Sequence, residues 1–243
     1  MLSSITCDVC KKIFTSQFLI DEWGNKSHTS HDGEPIKHCD CCGRILSNNT
    51  SKGFQKVKDG RTICRICLST AITNWNEGEQ QKNRVLNLLK KYSFKNIPET
   101  FPLEVVDAYE MSSVSKSPLY STRGLAQSGF SFSILGGRKS HSHKIFMLSH
   151  LPKEEFVGVL AHEILHLWIN NNNVKLSDEE TEGFCNLGSY LVFFKNNSQF
   201  SSIQLKRMEK DMNPAYGKAY RRMRAELLKF GWKIFLDKIQ KAP

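Results

Sequence analysis

PKEEFVGVLAHEILHLWINN, residues 152–171, spaces its apolar side chains as a helix does. Phe156, Val157, Leu160, Ile164, Leu167 and Trp168 supply apolar faces, so the helix is predicted to be buried. Pro152 sits where a first-turn proline is tolerated, and Glu154 and Glu155 suit the positive N-terminal end. Within this helix lies His162-Glu163-Ile164-Leu165-His166. Residues i and i+4 share a helix face, so both imidazoles can reach one metal ion. Glu163 stands beside them, placed to take a proton from water. The plainer alternative is a buried helix with two incidental histidines. Against it, burying His, Glu and His on an otherwise apolar helix is costly without a metal or another partner.

A catalytic zinc needs a third protein ligand and an open position. Glu182, 16 residues after His166, is far enough along for a loop and a returning helix. Its rivals Glu179 and Glu180 have another explanation: Ser177-x-x-Glu180 is a capping box, and acidic side chains suit a helix N-terminus. Gly183 is expected to let the two helices approach closely. Cys185 is read as buried packing rather than as a ligand. Tyr216 follows the helix start Asn213-Pro214 and is the candidate donor to a tetrahedral oxyanion. Tyr190 is its alternative, although its spacing with Leu187, Leu191 and Phe194 favours the core.

Metal chemistry also marks the N-terminal part. Seven of the eight cysteines lie in the first 67 residues, and six form CxxC pairs. The N-terminus lacks a basic region followed by an apolar one, so no signal peptide and a cytoplasmic location are expected. In that setting the cysteines argue for metal rather than disulfides. Cys39-x-x-Cys42 and Cys64-x-x-Cys67, with 21 residues between them, are a strong structural-zinc signal. Cys7-x-x-Cys10 finds partners in His28-x-x-His31, with His38 and Cys41 as competitors; Cys41 stays unassigned. Two structural zinc ions and one catalytic zinc are therefore expected.

The composition shifts near residue 75, giving a zinc module over 1–75, a linker helix within 76–100 and a catalytic domain over 101–243. In EGEQQKNRVLNLLKKYSFK (77–95), Val85, Leu88, Leu89 and Tyr92 fall at helical spacing, with Pro98 and Pro102 ending the helix. LEVVDAY, FSFSIL and KIFML between 103 and 148 read as strands. Residues 130–135 would edge the cleft, where an extended substrate can pair by strand addition; a plain core strand fits equally. Arg123-Gly124 is a turn or a substrate contact. His141-Ser-His143 lacks partners for a further metal site. From Pro152 onward the chain reads as helical.

The formal net charge is +10, with the basic residues dispersed apart from Lys218, Arg221, Arg222 and Arg224. Dispersion, and the acidic residues among the lysines of 1–75, disfavour nucleic acid as a partner. No apolar run approaches the ~20 residues of a membrane span.

Several segments share a further likeness: CDVC (7–10), CDCCGR (39–44), DGRTICRICLSTAI (59–72), STRGLA (121–126), LAHEILHLW (160–168), EETEGFC (179–185) and NPAYGKAYRRMRAELLKFG (213–231). HEILHLW followed by TEGFC is similar to the gluzincin metallopeptidases, in which a glutamate before glycine on a second helix completes the site. The whole series more closely resembles the LIM-containing, ubiquitin-activated peptidases that limit organ growth in plants, and their bacterial relatives. The resemblance implies an α+β protein: a LIM-like two-zinc module followed by a thermolysin-like peptidase domain with a small mixed sheet and C-terminal helices. It implies hydrolysis of peptide bonds in protein or peptide substrates, and ubiquitin or another protein docking on the LIM-like module. The competing expectation is a non-catalytic LIM-type adaptor that retains a peptidase fold.

Overall fold

A computed structural model of the protein describes residues 5–132 and 139–241. The chain divides into two compact units, one formed by Met1–Ala71 with His150–Pro152, the other by Ile72–Ser149 with Lys153–Pro243.

The first unit has little regular structure. Phe18–Ile20 pairs antiparallel with Lys26–His28, Ser30–His31 with Glu34–Pro35, and Phe54–Lys56 with Thr62–Cys64. Among its described residues, Ile45, Leu46, Val57, Ile63 and Leu151 are the buried aliphatics, alongside six cysteines. So small an apolar core needs staples. Asp21 supplies a polar one: its carboxylate accepts from the backbone N–H groups of Trp23, Asn25 and Ile45. Trp23 Nε1 donates to the Cys42 carbonyl, and the Arg44 guanidinium stacks 3.8 Å over the indole. Cys41 is buried, and its thiol donates to the His150 carbonyl at 3.6 Å.

The second unit begins with helix α1 (Trp75–Lys91), N-capped by Asn74. This is the helix expected as a linker, but it belongs to the second unit and packs on a strand and a helix there. It ends at Lys91, before either proline, and Ser93 already has a φ of 69°. Strand β1 (Leu103–Val106) is shorter than LEVVDAY suggested. Asp107 accepts from the N–H groups of Tyr109 and Glu110, and this cap converts the rest into helix α2 (Ala108–Ser115). Strands β2 (Gly124–Phe132) and β3 (Lys139–Leu148) follow. β3 is central, parallel to β1 and antiparallel to β2, so β2 forms an edge of the described sheet. The edge strand starts six residues earlier than expected, and residues 133–135 lie outside the described residues.

Four helices complete the unit: α3 (Lys153–Asn171), α4 (Asp178–Asn196), α5 (Gln199–Lys210) and α6 (Tyr220–Gln240). A π-helical segment, Pro214–Ala219, precedes the last. The asparagine run 170–173 ends α3, with Asn173 at φ 51°. Ser177 and Glu180 form the capping box of α4. The core is aromatic: Trp168 stacks on Phe184 at 5.4 Å, and Phe94 meets its edge at 5.5 Å. The tight α3–α4 crossing does not rest on Gly183, as expected, but on Gly188, where a Cβ would stand 2.7 Å from the Ala161 carbonyl oxygen. Gly183 instead admits the π-helical segment, whose Ala219 backbone carbon would be 2.7 Å from an added Cβ. Among the described residues no helix is long and apolar enough to cross a membrane.

Candidate metal centres

Among the described residues, three clusters could hold a metal ion. The first unit contains two. In one, Cys7 Sγ lies 3.5 Å from His31 Nε2 and Cys10 Sγ lies 3.6 Å from His28 Nδ1. In the other, Cys39 and Cys67 sulfurs are 4.0 Å apart and those of Cys42 and Cys64 3.8 Å. Ordinary zinc–ligand lengths give a tetrahedron with edges of about 3.8 Å between sulfurs and about 3.6 Å between sulfur and nitrogen. Both donor sets therefore fit zinc. The turns that build them also hold the thiolates: Cys64 N–H points at Cys39 Sγ and Cys67 N–H at Cys64 Sγ, each at 3.3 Å. Neighbouring thiols, Cys41 and Cys42 foremost, pull Cys39 below its ordinary pKa, and Cys39 and Cys42 push Cys67 above it. Neither competitor joins a cluster. His38 is exposed with Nδ1 3.0 Å from the Gly43 carbonyl, and Cys41 is committed as described above.

The third cluster is in the second unit. One turn apart on α3, His162 and His166 place their Nε2 atoms 3.1 Å apart. Glu182 on α4 brings Oε2 to 3.1 Å from His162 Nε2 and Oε1 to 3.6 Å from His166 Nε2. A tetrahedral zinc with nitrogen and oxygen ligands has edges of about 3.3 Å. Oε2 is buried with no donor oriented toward it, which suits a cation at the shared point better than a hydrogen-bond network. The sulfur of Cys185 lies within 4.8 Å of the two imidazoles as well.

Burial would lower the His162 pKa, but Glu182 and Glu163 raise it on balance. Burial and the neighbouring His162 lower His166 to about 4. Glu163 is 7% exposed, and burial raises it to about 7, although His162 and the Ala126 N–H of β2 oppose the shift. Burial and the Glu182 charge push Tyr216 up to about 12.

Asn186, one turn beyond Glu182, was not singled out from sequence. Its Oδ1 faces His162 Nδ1 at 3.0 Å, and its Nδ2 donates to the Tyr216 carbonyl at 2.8 Å. Because the amide nitrogen is engaged by a carbonyl, the oxygen must accept from His162, leaving the Nε2 lone pair for a metal. The signal was available: four residues after a candidate ligand is the same helix face. Tyr216 lies in the π-helical segment, capped by Asn213. Its ring stacks 6.4 Å from His162, its hydroxyl bonds to Glu182, and it is 45% exposed. Tyr190 is buried against Phe194 and Tyr220.

A cavity of about 300 Å³ opens against these groups, lined by Thr122, Arg123, Val159, Glu163 and Asn186 among others. Arg123 pairs with the buried carboxylate of Glu155 at its rim. His143 takes no part: its Nδ1 is 2.9 Å from Ser128 Oγ, and the His141 side chain lies outside the described residues. In the basic group 218–224, Arg222 pairs with Glu180 and Arg224 with Glu209.

No protein-family profile matches the chain, and no solved structure does. Among curated proteins it is similar to Protein DA1-related 2 of Arabidopsis thaliana, 25% identical over 90% of this chain and 52% of that protein. Protein DA1 of the same plant is 25% identical over 96% of this chain and 55% of its own length. LIM domain-containing protein HDR3 of Oryza sativa subsp. japonica is 25% identical over 76% and 43%. The chain spans about half the length of the curated relatives it matches.

Proposed function

We propose that this chain is a zinc-dependent peptidase of gluzincin type, preceded by a LIM-like two-zinc unit. The observation that carries the reading is the convergence of His162, His166 and Glu182 within 3.1–3.6 Å beside a buried Glu163 and an open cavity. A zinc ion held by these three would polarise a substrate carbonyl and acidify a water. Glu163, its carboxylate steadied by the Ala126 N–H, would serve as base for the attacking water and as acid for the leaving amine. The Tyr216 hydroxyl, released from Glu182, donates to the developing oxyanion. Strand β2 offers its outer edge to an extended peptide, which would bring the scissile bond past Glu163. The LIM-like unit supplies a docking surface for a protein, ubiquitin or another.

Glu163→Gln tests this reading. The variant is expected to keep its zinc and its circular dichroism spectrum while losing cleavage of an unfolded protein such as casein. A zinc-loaded wild type that cleaves no protein or peptide would favour the adaptor and overturn the peptidase. So would full activity in the variant.

A further inference from the structure

Helix α4 brings a second side chain to the centre besides Glu182. Cys185 stands three residues further on, one turn along the same face, and is completely buried. Its sulfur lies within 4.8 Å of ring nitrogens of both His162 and His166. Among the described residues no hydrogen bond engages its thiol. The close α3–α4 crossing at Gly188 presses this face of α4 onto the turn that carries the histidines. A small residue that merely fills space needs no sulfur here, whereas thiolate is among the strongest donors a side chain offers zinc.

We propose that Cys185 is a fourth metal-binding donor of this centre, able to close it to water and substrate. The inference rests on the reading of His162, His166 and Glu182 as a zinc site. Nitrogen and sulfur ligands of one tetrahedral zinc are about 3.6 Å apart. The sulfur thus stands at most about 1.2 Å beyond that spacing from the two imidazole nitrogens. On coordination the sulfur–hydrogen bond breaks, the metal–sulfur bond forms, and one proton passes to solvent. With all four side chains bound, a tetrahedral ion has no open position left. The centre thus has an open ligand set and a closed, latent one, and thiophilic metals favour the second.

The test is spectroscopic and uses the full chain with both structural sites left zinc-loaded. The exchangeable metal is removed with a chelator and replaced by Co²⁺, with zinc measured in the same samples to verify that the structural sites stay filled. Tetrahedral Co²⁺ shows visible d–d bands whatever its ligands, but an intense near-ultraviolet charge-transfer band only when a thiolate is bound. The expected result is one bound Co²⁺ with that band, lost in Cys185→Ser and kept in Glu182→Gln. Bound Co²⁺ with d–d bands and no charge-transfer band overturns the inference and leaves the zinc site standing. The same band persisting in Cys185→Ser also overturns it. Failure to bind any Co²⁺ overturns both. The wild-type spectrum decides alone if a variant does not fold.

Discussion

The side-chain oxygen of Asn186 sits 3.0 Å from Nδ1 of His162. The same amide holds the Tyr216 carbonyl from its other end. One side chain therefore orients the His162 imidazole and anchors the backbone of Tyr216, the donors proposed for the metal and the oxyanion. Asn186→Ala is expected to weaken zinc binding at this centre by roughly 10–100-fold, the usual cost of losing an outer partner of a ligating histidine. Asn186→Asp keeps an acceptor for His162 but has no donor for Tyr216. It should retain zinc and lose turnover. Competition against a chromogenic chelator, beside kcat and KM, separates the two effects.

Tyr216→Phe removes only the hydroxyl. Loss of one oxyanion donor costs about 10²–10³-fold in kcat. The variant should bind zinc and substrate as before and turn over that much more slowly. Unchanged kcat would dismiss Tyr216 from the chemistry.

Purified protein should carry about three zinc ions per chain, from the three donor sets. Brief dialysis against a chelator should remove one and leave the far-ultraviolet circular dichroism intact. Exhaustive chelation should unfold the first unit, since its aliphatic core is too small to persist without metal. Loss of all the zinc with no change in hydrogen exchange over residues 5–71 would contradict this.

Cys41→Ser should leave the zinc content unchanged, because this thiol bonds to the His150 carbonyl and stands outside the ligand cluster. Cys39→Ser is the contrast and should lose an ion. Metal analysis of the two variants separates a bystander from a ligand.

Ser177→Ala deletes half of the capping box of α4. The expected loss is about 1 kcal/mol of stability, read as a lower urea midpoint. Activity at low temperature should survive, since Glu182 lies beyond the first turn.

Spacing made the candidate metal clusters legible. CxxC pairs and an i, i+4 histidine pair are local patterns, and Glu182 emerged once the capping box explained its acidic neighbours. Asn186 was missed because its role depends on a residue 24 positions earlier and another 30 positions later. Cys185 is buried as its packing reading requires, while its nearness to two imidazoles depends on residues 19 and 23 positions earlier and is invisible in spacing. The strand at Leu103 was overextended because Val105, Val106 and Tyr109 suit strands, while the capping action of Asp107 decides the issue. Likewise Gly183 and Gly188 are equivalent on paper. Only the neighbour each one meets distinguishes them.

The tripeptide His150–Pro152 belongs with residues 1–71, although α3 begins at the very next residue. The two units are therefore interleaved along the chain, and no single cut separates them. A fragment starting near residue 72 would carry three residues whose partners it lacks. A fragment ending near residue 71 would lack the carbonyl that Cys41 addresses. Exchange of one unit between related proteins, by recombination or by design, needs three crossovers. The last must fall at the start of the helix that bears His162.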